Sequence, residues 1–166
     1  MSRAFVNEDA GNDRPDLPEL PVPPGPNIVT PRGLAALQAR IAARQADLAR
    51  LKARADRLDK LPEAAAERDL RWLEARLKAA VVIDPATHDL SAVAFGLAVT
   101  VADEAGLETT YEITGEDEAD ATRQRIAPQS PLARALLGAQ VGDVVTWKRP
   151  AGAVELEVLG IAHADP

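Results

Sequence analysis

The chain has no cysteine, so disulfide frameworks and thiolate metal sites are excluded and a reducing, cytoplasmic setting is expected. Aromatics are scarce, with two Trp, one Tyr and two Phe among 166 residues. That scarcity argues against one large compact core and for a helical element joined to a modest β domain. No apolar run approaches the roughly 18 residues that a membrane span needs, and the opening MSRAFVNEDAGNDRPD has no apolar stretch of the kind that directs secretion. Neither secretion nor a membrane location is expected. Histidine is limited to His88 and His163, which lack metal-ligand spacing, and no glycine-rich phosphate loop occurs. No metal site and no cofactor of its own are expected.

What is present is charge, unevenly spread. Residues 1–29 hold 2 basic and 5 acidic side chains, residues 30–83 hold 12 and 7, and residues 84–166 hold 5 and 14, for −3, +5 and −9 in turn. The overall −7 therefore conceals a basic middle and an acidic end, a dipolar arrangement that orients in the field of a charged partner. The acidic end also opposes autonomous DNA binding.

Three segments follow. Residues 1–29 are proline-rich and acidic, with only Phe5 and Val6 as apolar anchors, and are expected to form a disordered leader. Thr30-Pro31 is a helix start, with Thr30 as N-cap and Pro31 at the first position. Leu34, Leu37, Ile41, Leu48, Leu51, Ala55 and Leu58 then run at heptad spacing, broken by Arg44, to an expected end near Lys60. Pro62 opens a second helix that carries Ala66, Leu70, Leu73, Leu77 and Ala80. A two- or three-residue turn between them makes the helices antiparallel. It sets Leu51 opposite Leu73 and Leu58 opposite Ala66, leaving Leu34 and Leu37 to pack on the following domain. Two arms paired within one chain predict a monomer.

From residue 84 the pattern turns to β. AVTVAD (98–103), TTYEIT (109–114), DVVTWK (143–148) and VELEVLGIA (154–162) read as antiparallel strands, with a short one near Arg125–Ala127. Ser130-Pro131 starts a helix of about two turns that Gly138 stops, and Leu132, Leu136 and Leu137 are expected to face the sheet. The class is α+β: a coiled-coil hairpin (30–83) followed by an antiparallel β domain with one short helix (84–166).

Six segments of that half, VID (82–84), FG (95–96) leading into AVTV, TYEITGEDEAD (110–120), SPLARALLG (130–138), VGDVV (141–145) and RPAGAVELEVLGI (149–161), follow in order the pattern of the Gre transcription-elongation factors. The opening MSRAFV and PNIVTPRGLAAL (26–37) also resemble the GreB-like branch. The resemblance implies an FKBP-like C-terminal domain and RNA polymerase as partner. It also implies a coiled coil inserted in the secondary channel, where it meets nascent RNA only indirectly and Mg²⁺ is held by the polymerase. The family's acidic tip motif, GD-x-x-ENA-x-Y, is missing here: the corresponding stretch reads RADRLDKLPEAAAERDLRW (54–72). Asp59 and Glu63 are the weak substitutes, and a salt-bridged tip without efficient transcript cleavage is expected, closer in its shortened coil to the nucleoside diphosphate kinase regulator branch. Any RNA cleavage would be chemistry of the polymerase, making this an accessory factor.

The resemblance further points to Asp117, Glu118, Asp120, Ser130, Pro131, Leu132 and Arg134 as a polymerase-facing surface. Arg50, Arg54, Arg57, Lys60 and Arg68 form a candidate electrostatic surface on the coil. Cleavage stimulation by Asp59 and Glu63 is one alternative. A peptidyl-prolyl isomerase is another, but such a pocket needs apolar aromatic lining and this half offers only Phe95, Tyr111 and Trp147.

Overall fold

The computed structural model describes residues 15–56 and 58–164. Asn27–Val29 form strand β1, which leads directly into helix α1, Pro31–Lys52; helix α2, Leu61–Lys78, returns the chain to strand β2, Ala80–Val82. β1 and β2 pair in parallel, with Asn27 opposite Ala80 and Val29 opposite Val82, and the helical hairpin is the crossover that a parallel pair requires. The structure thus departs from the leader reading at its end: residues 27–29 belong to a strand. Phe5 and Val6 lie outside the described residues.

α1 begins as its sequence dictates. Thr30 Oγ1 accepts a hydrogen bond from Gly33 N at 3.0 Å, satisfying one of the amides a helix start leaves orphaned. Its end comes at Lys52, not near Lys60, and residues 53–60 form the connection in place of a two- or three-residue turn. The reason lies in two aspartates. Asp56 Oδ1 accepts from Leu58 N at 3.0 Å and Asp59 Oδ1 from Leu61 N at 2.9 Å; such side-chain bonds to the nearby backbone compete with the helical ladder.

The longer connection slides the helices against each other. Leu37, Ile41, Leu70 and Leu73 form the buried seam, with Leu48, Trp72 and Leu77 packed around it. Arg44 pairs with Asp69 at 2.9 Å and Lys52 with Glu67 at 2.8 Å. Leu37 therefore belongs to the seam between the helices, and Leu58 is 94% exposed; neither follows the register expected from a tight turn.

The C-terminal sheet contains β3, Leu97–Asp103, β4, Glu108–Ile113, β5, Arg125–Ile126, β6, Val144–Arg149, and β7, Gly152–His163, in the order β5-β4-β3-β7-β6. Period-two burial along β3 sends Leu97, Val99 and Val101 inward. All neighbours are antiparallel except β4 and β5. That exception lies at the short strand whose direction the sequence left open: residues 114–124 pass through two short 3-10 turns instead of a hairpin, so the chain re-enters the sheet in the same direction. Helix α3, Pro131–Leu136, is capped by Ser130 Oγ, which accepts from Ala133 N at 3.2 Å. Leu132, Ala133 and Leu136 fill the core against Val99, Val101, Ile113, Leu156 and Val158. Leu137, expected to face the sheet, is the C-cap and is partly exposed, because the helix stops one residue too early to turn it inward.

Candidate functional site

Three regions carry the chemistry: the tip of the hairpin, the flanks of the coil, and the acidic loop where the two units meet. At the tip, Asp59 is exposed but its carboxylate holds the Leu61 amide. Glu63, in the first turn of α2, is buried to 6% exposure. Among the described residues no group of three or more His, Asp or Glu side chains converges as a metal site. A hard divalent cation wants several oxygen ligands with free lone pairs, and the carboxylates present do not offer that set.

Along the coil, Arg50 pairs with Asp47 and Arg68 Nη2 with Asp69 at 3.0 Å. Arg54 donates to backbone carbonyls, at 3.4 Å to Leu51 O and 3.2 Å to Asp59 O, and so braces the tip. Lys60 is the N-cap of α2. Arg57 lies outside the described residues.

The acidic loop is different from its expected role. Glu118 reaches the start of α1: Thr30 Oγ1 donates to its Oε1 at 2.7 Å and Thr30 N to its Oε2 at 3.2 Å, while Gly115 N donates to the same Oε2 at 3.2 Å. Arg32 Nη2 stands 3.6 Å from Oε1 and also binds Glu112, which Arg125 Nε meets at 3.0 Å on its other oxygen. Asp117 binds α2, with Oδ2 3.0 Å from Arg76 Nε and 3.0 Å from Asn27 Nδ2. Arg76, 2% exposed, also donates to Asn27 Oδ1 at 2.6 Å and to Glu116 Oε2 at 3.1 Å. Both carboxylates face inward, with side-chain exposures of 5% for Glu118 and 10% for Asp117. They fasten the C-terminal unit to the coil.

Of the residues assigned to a partner-facing surface, Pro131 and Arg134 are exposed. Asp120 is partly exposed; the hydroxyl and then the amide of Thr122 hold its carboxyl below the usual carboxylate range, with Arg123 and Arg125 adding to the effect and desolvation opposing it. Ser130 is occupied as a helix cap. Leu132 is 4% exposed: it faces the sheet, as its place in the helix predicts, and does not contribute to a partner-facing surface. Phe95, Tyr111 and Trp147 pack against that core as partly buried residues, and the Trp147 ring carries the Arg149 guanidinium 5.1 Å from its centroid.

The fastening residues Asn27, Thr30, Arg32, Arg76 and Glu112 went unread in the sequence as site residues. One signal existed: the N-cap motif Thr30-Pro31-Arg32-Gly33 lacks the acid or amide that completes a capping box at its fourth position.

Residues 87–163, the β3–β7 sheet with α3 and the loop before it, match the family described as "Transcription elongation factor, GreA/GreB, C-term". Over these residues the chain matches a GreA/GreB C-terminal domain. The chain is 42% identical over 96 residues to a transcription elongation factor GreA of Thioalkalivibrio sulfidiphilus, covering 57% of this chain and 61% of that one. It is 41% identical over 99 residues to the GreA of Pseudomonas putida, covering 58% and 62%. The matched stretch thus spans about three-fifths of these curated relatives. The crystal structure of GreA factor homolog 1 from Thermus thermophilus aligns at 24% identity over 82% of this chain and 98% of that one, with a TM-score of 0.39. Within the matched residues of this chain, Asp117 and Glu118 bind Arg76 and Thr30, joining that unit to the helical hairpin. No helix among the described residues is long and apolar enough to cross a membrane.

Proposed function

We infer that the chain is a transcription elongation regulator that binds RNA polymerase and presents its helical hairpin to the secondary channel without stimulating efficient transcript cleavage. The observation that carries the second half of this reading is the tip. Asp56 and Asp59 use their carboxylates to hold backbone amides of Leu58 and Leu61, and Glu63 is buried in the first turn of α2. Such groups are poorly placed to complete the shell of a polymerase-bound Mg²⁺, which keeps near-ideal octahedral oxygen coordination; no step is assigned to them. The first half is supported by the GreA/GreB domain and the GreA relatives. On this reading the protein is a monomeric cytoplasmic accessory factor whose contact with nascent RNA is indirect.

The test is a backtracked elongation complex incubated with the protein and Mg²⁺. RNA length is expected to stay unchanged while the protein co-purifies with core polymerase. Shortened RNA that reverts on Asp59→Ala or Glu63→Ala would reverse the assignment of the tip, and failure to bind core polymerase where a GreA factor binds would remove the whole reading.

A further inference from the structure

The proline-rich segment before β1 lies on the hairpin in an ordered way. From Asp16 to Pro24, Leu17, Leu20 and Pro23 are half-buried and the residues between them exposed. A three-residue period is that of a polyproline II helix resting on one face. Trp72 Nε1, on α2, donates to the Pro21 carbonyl at 3.0 Å, and Arg71 donates to Glu19 Oε1 through Nε at 3.1 Å and Nη2 at 2.5 Å. The guanidinium groups of Arg40 and Arg76 each stand 5.9 Å from the centroid of the Trp72 ring. An aromatic platform with an N–H aimed at a carbonyl, rimmed by cations, is the chemistry that recognises acidic polyproline II peptides.

We propose that the face of α1 and α2 centred on Trp72 is a docking surface for an acidic, proline-rich peptide with an apolar residue at every third position. Such a peptide binds there by displacing the chain's own residues 17–23. Three observations favour exchange over a permanent seat. The segment is held by three half-buried side chains, one carbonyl and one ion pair whose members are 54% and 62% exposed; exposed pairs contribute little. A solvent-open cleft of about 560 Å³ adjoins Leu20 and Pro21, bounded by Arg40, Arg44, Asp69, Trp72 and Leu73, so the resident segment does not seal this face of the hairpin. Gly25, at φ +90° with open space around it, is a turn that lets the segment leave without disturbing β1.

The experiment follows the indole N–H resonance of Trp72 in the full chain, assigned against Trp72→Phe, during titration with a synthetic peptide of residues 15–26. The wild-type chain should respond weakly, because its tethered segment competes at millimolar effective concentration. A full chain carrying Leu17→Ala, Glu19→Ala and Leu20→Ala should bind the peptide at least about tenfold more tightly in apparent affinity, since that competitor is weakened. A peptide with both leucines changed to Ser should not bind. Arg71→Glu, an exposed change that leaves the helix seam intact, should weaken binding of the acidic peptide and shift preference toward one with Glu19→Lys. No saturable shift in the triple-alanine chain, or an equal response to the Ser peptide, overturns the proposal. Because the readout involves no polymerase, its failure is distinct from failure of the function above.

Discussion

Glu118 gives Thr30 the carboxylate that α1 does not carry within its own first turn. In an ordinary capping box the acid three residues after the N-cap reaches back to the N-cap amide. Here that position is Gly33, and Glu118, 88 residues from Thr30 along the chain, accepts both the amide and the hydroxyl of Thr30. A Cβ on Gly33 would lie 2.2 Å from Glu118 Cδ, so the missing side chain is what admits the distant acid. The carboxylate also sits at the positive end of the α1 dipole, where negative charge is favoured.

Glu118→Ala should therefore lower stability by about 2–3 kcal/mol, the scale of lost charge-assisted bonds and an orphaned amide. The melting temperature should fall by roughly 5–10 °C. Adding Gly33→Glu to Glu118→Ala rebuilds a local box and should return about 1 kcal/mol, whereas Gly33→Ala in the otherwise unchanged chain should destabilise by collision with Glu118. Thermal unfolding followed by circular dichroism distinguishes these outcomes; an unshifted melt for Glu118→Ala would show that the trans cap contributes nothing.

Arg76 is the second fastener. Its guanidinium serves Asn27, Glu116 and Asp117 at once, a division that one ammonium cannot reproduce. Arg76→Ala should cost about 3–5 kcal/mol, the range for breaking one side of a buried pair. Arg76→Lys should recover only part of that. Urea denaturation measures both, and full recovery by Lys would mean that charge alone, not the fork geometry, matters.

Acid should loosen the proline-rich segment. The Arg71 hydrogen bond holds the Glu19 carboxyl below its ordinary value; desolvation opposes this, and the charges of Arg71 and Arg68 reinforce it. Arg71 is raised in turn, first by its bond to Glu19, with Glu67 contributing, and stays charged throughout. A depressed folded-state pKa means that the contact's contribution is fully present above the free carboxylate value of about 4.3 and is lost as pH falls through the lowered one. The Trp72 environment should be constant near neutrality and change only on acidification below that value. Glu19→Gln should abolish this part of the transition in a pH titration of tryptophan emission.

The tip aspartates predict a local effect. Asp59→Ala removes the acceptor for the Leu61 amide, and hydrogen exchange at that amide should speed up by about five- to tenfold, in line with a cap worth roughly 1 kcal/mol. Asp59→Asn keeps an acceptor oxygen and should exchange nearly as wild type. Equal acceleration in both would show that charge, and not the Asx bond, holds the turn.

Local pattern determined much of this molecule. The Thr30-Pro31 and Ser130-Pro131 starts, the seam residues Leu70 and Leu73, and the alternation of β3 are all short-range consequences of capping chemistry and side-chain period, and they are legible one residue type at a time. Tertiary structure decided the rest. Whether Asp56 and Asp59 face a solvent-exposed helix or break it, whether Asp117 and Glu118 point to a partner or inward, and where Leu37 finds its neighbours all depend on groups far away in the chain. The −9 of the C-terminal segment read as a surface property. Its two best-buried acids became internal fasteners because Arg76, Asn27 and Thr30, brought together by the β1–β2 pair, supply donors that no contiguous stretch of sequence displays.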